Sequence, residues 1–139
     1  VRGYDAARER RAEQRARALL RSCVPDEAWT IYERFGFLYA QPRGRDYAYL
    51  IYPYKPLVAY RTDTRELLGE YCVRFNPADA RLPPADDVLA KWLAVTADER
   101  GLIATANVAA IGSQLEPARL RRDLDRLADW LRTEPAGGE

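Results

Sequence analysis

The 139-residue chain contains no histidine and no methionine, only two cysteines, and only Lys55 and Lys91 as lysines among its 22 basic residues. Each shortage closes off some chemistry. Without histidine the chain lacks the commonest general base, the commonest metal ligand and the usual switch near neutral pH. Ser-His-Asp and Cys-His constellations therefore cannot be assembled within one chain. Cys23 and Cys72 stand far apart in no CxxC spacing, so a zinc site is not expected, and both read as free, buried thiols. The lack of an initiator methionine predicts that the chain is processed, trimmed or a fragment. No apolar segment follows the arginine-rich opening, so no signal peptide is expected. The most apolar run, "GLIATANVAAIG" (101–112), is too short and too polar to span a bilayer. These absences predict a cytoplasmic protein with no metal, no cofactor and no membrane partner.

What is present belongs to a folded domain. An apolar fraction of 47% and a charged fraction of 31% are those of a globular chain. At this length one domain buries roughly two-thirds of the surface its unfolded form exposes. The net charge of +1 gives the whole molecule no field that draws it to nucleic acid. The charge is uneven, however. Residues 1–22 hold Arg2, Arg8, Arg10, Arg11, Arg15, Arg17 and Arg21 against Asp5, Glu9 and Glu13.

Periodicity predicts the order ααββββααα in a single α+β domain: a four-stranded antiparallel meander flanked by N-terminal and C-terminal helices. Residues 5–22 form a helix with Ala12, Ala16, Leu19, Leu20 and Cys23 at helical spacing. In "VPDEAWTIYERFG" (24–36), Pro25 opens a helix, Gly36 ends it, and Ala28, Ile31, Tyr32 and Phe35 make one apolar stripe. Strands follow at 36–41, 46–53, 56–62 and 67–75, with turns at 42–45 and 63–66 too short for parallel crossovers. "LPPADDVLAKWLAV" (82–95) returns to helix. "TADE" (96–99) has capping-box form, opening a helix to about Ala110 with Gly112 as its stop. After Pro117, Leu120, Leu124, Leu127 and Leu131 recur at heptad spacing. The domain thus spans 1–133, with a core at about 16–112, a leucine-seam helix at about 117–133 and a flexible tail at 134–139.

Three groups invite a functional reading. In "RGRDYAYLIYPY" (43–54), Tyr47, Tyr49 and Ile51 point one way while Ala48, Leu50 and Tyr52 point the other. With one sheet face covered by helices, the other could present Tyr47 and Tyr49 beside Arg43 and Arg45, and stack single-stranded bases. The structural reading is that tyrosine favours strands and keeps its hydroxyl wet. The glycine-aromatic signature of an RNA-recognition motif is missing. The leucine seam of Leu120, Leu124, Leu127 and Leu131 either closes over the domain's own body or pairs with a partner or a second copy. Trp130 stands off that seam as a natural anchor for a protein contact. Asp86–Asp87 and Asp98–Glu99 sit where helix N-termini attract carboxylates, which accounts for them without a metal. Arg119–Asp123 and Arg121–Asp125 read as i,i+4 pairs on the outer side of the last helix.

Gly44, Arg45 and Tyr47, Cys72, Pro84 with Asp87, and Ala106 with Asn107 together form a pattern that resembles one in small bacterial α+β proteins of unknown function. In those, a Gly-Arg-x-Tyr strand, a cysteine-bearing strand, a Pro-x-x-Asp helix and an Ala-Asn helix recur. The resemblance covers residues 16–108 and implies one domain, with no activity attached. The reading that follows is a non-enzymatic interaction or assembly module binding another protein or itself. Single-stranded nucleic-acid binding through Arg43, Arg45, Tyr47 and Tyr49 is the alternative.

Overall fold

The computed structural model describes residues 5–73 and 82–133; the tail expected at 134–139 lies outside them. Among these residues the order is α1 (Ala6–Cys23), α2 (Asp26–Phe35), β1 (Leu38–Ala40), β2 (Tyr47–Ile51), β3 (Leu57–Arg61), β4 (Leu67–Cys72), α3 (Pro84–Ala97), α4 (Glu99–Thr105), β5 (Asn107–Ala109) and α5 (Pro117–Thr133). All five strands pair antiparallel in sequence order, so the fold is α+β around one meander. The meander has one strand more than the sequence predicts. The helix expected to reach Ala110 stops at Thr105, and Asn107–Ala109 pairs along β4 instead. Alanine-rich sequence favours helix, but the open edge of β4 offers ladder hydrogen bonds that override local propensity.

Both sheet faces are covered, where the sequence led us to expect one. Tyr49, Ile51, Leu57 and Ala59 pack beneath α1, α2 and α3, against Ala16, Leu20, Val88 and Leu89. On the other side Ala48, Leu50, Val58 and Tyr60 pack against Leu120, Leu124 and Leu127 of α5. Helix α2 closes one end of both layers. Trp29 and Tyr32 enter the first core and Ile31 the second. Gly36, at φ 85°, ends α2 in the left-handed region that a residue without Cβ reaches freely.

Charged groups reach into these layers only where donors and acceptors match. Lys91 is 3% exposed; its ammonium pairs with Asp87 at 2.7 Å and donates to the carbonyls of Tyr52 (3.1 Å) and Lys55 (2.8 Å). Asp87 also accepts from the Tyr54 N–H at 2.7 Å, so one ion pair fixes the β2–β3 turn, where Tyr54 has φ 64°. Glu70, fully buried on β4, accepts from Gly112 N (3.0 Å), Ser113 Oγ (3.1 Å) and Gln114 N (3.2 Å). It thereby fastens the loop that carries the chain from β5 across to α5. Glu70→Ala leaves three donors without that carboxylate, and hydrogen bonds to charged groups are worth about 1.5–3 kcal/mol each. The variant is expected to lose about 3 kcal/mol in urea unfolding, with the α5 amides losing hydrogen-exchange protection first; equal loss across all elements would contradict the assignment.

Candidate interaction surface

The tyrosine strand turns inward. Tyr49 is 4% exposed, Tyr47 is half-buried, and both hydroxyls donate to one oxygen of Glu99, at 2.5 and 2.7 Å. The rings stand edge-on to each other, with centroids 5.8 Å apart, and Tyr71 meets Tyr49 in the same way at 6.4 Å. Arg43 and Arg45 lie exposed in the β1–β2 turn, where Gly44 has φ 75°. The base-stacking platform expected from Arg43, Arg45, Tyr47 and Tyr49 is therefore not assembled. The rings that would stack are packed under helices, because both faces of the sheet are used. Glu99 is also not half of a capping box. Thr96 lies inside α3 and donates to the Trp92 carbonyl, while Asp98 caps α4 through the Gly101 N–H.

The leucine seam is likewise spent within the chain. Leu120, Leu124 and Leu127 are 0–2% exposed, so they are core residues and not contacts for a partner. Leu131 remains 37% exposed at the far end of α5. The first helix buries Ala16 and Leu20 and leaves Leu19 and Cys23 outward, correcting the expected buried thiol; Cys72 is half-buried, and both cysteines are free. Arg17 stacks 5.0 Å over the Trp29 ring and Arg21 lies 5.9 Å from it, so the inward arginines of α1 cover aromatics. A shallow groove of about 820 Å³ separates the first turns of α1 from Tyr54, Leu82 and Pro84. Its charges are mixed, and Glu13 already accepts from the Ala85 N–H.

Trp130, the anchor expected from the sequence, lies where α2 ends against α5, in a ladder of rings that the sequence did not reveal. Trp130 meets Phe35 edge-on at 6.2 Å; Phe35 stacks on Phe37 at 5.7 Å, and Phe37 leans on Tyr52 at 5.5 Å. Three guanidinium groups cover this ladder of rings. Arg34 lies over Trp130 at 5.0 Å, Arg126 over Phe35 at 4.9 Å and Arg119 over Tyr52 at 4.9 Å. Asp123, 6% exposed, stands among them and accepts from the Tyr52 hydroxyl at 2.7 Å. Arg119 and Arg126 approach Asp123 at 3.7 and 3.6 Å, as ion pairs longer than hydrogen bonds. Asp125, expected to pair with Arg121, is bound instead by Arg65 at 2.7 Å. The signal available beforehand was two arginines seven residues apart flanking a leucine seam.

No protein-family model matches the chain, and no curated protein or solved structure is similar to it. Among the described residues, no three His, Cys, Asp or Glu side chains gather to hold a metal, and no helix is long and apolar enough to cross a membrane.

The tyrosines carry a pH signature. Burial, chiefly, raises Tyr32 from 10.0 to about 12. Burial also leads the upward shifts of Tyr39, Tyr49, Tyr52 and Tyr60, while the Glu99 hydrogen bond leads that of Tyr47. Each group holds its proton more tightly folded than unfolded. Its stabilising contribution is thus full below the unfolded value of 10.0 and is lost as pH climbs through that value towards the folded one. Lys91 acts in the opposite sense, because burial lowers its folded value below 10.5, but it is one group against six. Stability should fall steeply from about pH 10 upward, and phenolate absorbance should report most tyrosines ionising together with unfolding; independent ionisation of the folded chain would contradict this. A second expectation concerns Trp130, whose buried indole N–H has no acceptor among the described residues. An orphaned donor costs about 1–3 kcal/mol, so Trp130→Phe should match or exceed wild-type stability while Trp130→Ala loses about 2 kcal/mol or more in urea unfolding.

Proposed function

We propose that the chain is a non-enzymatic protein-binding module whose contact surface is the outer side of α5 around Trp130, together with the end of α2. The observation that carries this reading is the α2–α5 ladder: aromatic rings anchored in the core and topped by exposed arginines, with Leu131 exposed near the end of the same helix. Tryptophan and arginine dominate the energetics of protein contacts when a packed base holds them in place. The interior polar groups fit a scaffold role. All three Lys91 donors, the Glu70 carboxylate and the Tyr47 and Tyr49 hydroxyls are engaged in holding elements together. The nucleic-acid reading has less support, because Tyr49 is 4% exposed and bonded to Glu99.

A photoreactive amino acid placed at Leu131 tests the proposal, with the same group at Thr64 as a control on the β3–β4 turn. A discrete adduct in producing cells, with a partner protein or a second copy, is expected from position 131 and not from 64. Adducts from 64 alone, or a strict monomer in sedimentation with none from 131, would reject it.

A further inference from the structure

We infer that the occupant of the α2–α5 surface is an acidic, amphipathic segment of another protein, with two carboxylates about two helical turns apart seated on Arg119 and Arg126. This rests on the binding-surface reading above and names the chemistry of the partner.

The argument begins with what the arginines are doing. Each holds its guanidinium carbon 4.9–5.0 Å from the centroid of an aromatic ring, a cation–π contact that restrains the long side chain. Among the described residues, the guanidinium groups of Arg34, Arg119 and Arg126 donate no hydrogen bond, and the approach of the last two to Asp123 is too long to be one. Their side chains are 47% and 51% exposed for Arg119 and Arg126. Arg119 and Arg126 share one carboxylate, Asp123, beyond hydrogen-bond reach, so their exposed N–H groups remain open to further carboxylates, whose two oxygens match the guanidinium fork. The ordering of these long side chains is already in place before a ligand arrives, which removes part of the usual entropic cost.

Spacing defines the ligand further. Arg119 and Arg126 are seven residues apart on α5, about 10 Å along the axis at 1.5 Å per residue. Carboxylates at i and i+7 of a helical partner have the same separation. Arg34 continues the strip over Trp130, and Leu131, the next residue of α5 and 37% exposed, offers apolar surface on the adjoining side of the helix. The charge pattern favours discrete carboxylates over a phosphate backbone. Asp123 sits between the two arginines, Asp125 and Asp129 share the helix, and the chain's net charge is only +1. A continuous polyanion laid along α5 would meet those carboxylates; a partner with two spaced charges avoids them.

The probe is a synthetic helical peptide with glutamates at i and i+7 and leucines on the adjoining face. Three comparison ligands accompany it: the same peptide with glutamines, one with its glutamates three residues apart, and a single-stranded oligonucleotide. Fluorescence anisotropy is expected to give binding of the first peptide that weakens with added salt. Affinity should fall about tenfold on replacing either arginine, in Arg119→Gln and Arg126→Gln, as expected for loss of a charge-assisted hydrogen bond. Arg119→Lys/Arg126→Lys keeps both charges without the planar fork and should fall in between, which guards against a glutamine variant that misfolds. Arg10→Gln removes the same single charge from α1 and should leave affinity unchanged. Equal binding of the closely spaced or glutamine peptide, tighter binding of the oligonucleotide, or an equal loss in the α1 variant would overturn the inference. Uncharged peptide binding that requires Trp130 and Leu131 would reject the acidic partner while sparing the surface. Absence of peptide binding together with absence of adducts from position 131 would remove both.

Discussion

The pairing of β2 with β3 is the constraint on which the rest of the molecule depends. Its residues are buried from both sides at once: Tyr49, Ile51, Leu57 and Ala59 on one, and Ala48, Leu50 and Val58 on the other. A strand pair with no wet face needs two layers to cover it, and the remaining elements are arranged to supply them. Helices α1 and α3 form one layer and α5 the other, while α2 closes an end that both share. Burying a Leu, Ile or Val side chain is worth about 1.5–3 kcal/mol, so this central pair anchors much of the apolar gain that opposes chain entropy.

Apolar layers attract without specifying an angle, and the buried polar groups provide the missing specification. Lys91 fixes α3 to the β2–β3 turn, Glu99 fixes α4 to Tyr47 and Tyr49, and Asp123 fixes α5 to Tyr52. Glu70 does the same for the loop leading into α5. Each is a long-range contact between elements distant in sequence, and each satisfies donors that burial would otherwise leave unpaired. Buried charges add little net stability compared with apolar groups of the same shape, so their effect is best seen in register and orientation.

The sequence was legible where the signal was local. Helix α2 could be read from Pro25, Gly36 and the stripe of Ala28, Ile31, Tyr32 and Phe35, and the first four strands from their turns. The second covered face was harder to see, because alternation along β2 was read as one wet side and one dry. Ala48 and Leu50 on the supposedly opposite face were the warning, since a run that is apolar on both sides marks a strand buried twice. The fifth strand was illegible for a different reason. Asn107–Ala109 sits within an alanine-rich run and is strand because β4 has an edge to offer. Among the predicted contact residues, Trp130 and Leu131 keep surface, whereas Leu120, Leu124 and Leu127 are spent internally. Heptad spacing specifies an apolar stripe and not what it meets. The arginine ladder depends on α2 and α5 coming together, which no local pattern encodes.

The position of α5 in the chain has a consequence for synthesis. Leu50, Val58 and Tyr60 emerge from the ribosome well before Leu120, Leu124 and Leu127, which cover them. A nascent chain that has completed the first four strands therefore carries a bare apolar face until α5 arrives. A chain cut short before Pro117 would keep the same sticky face permanently.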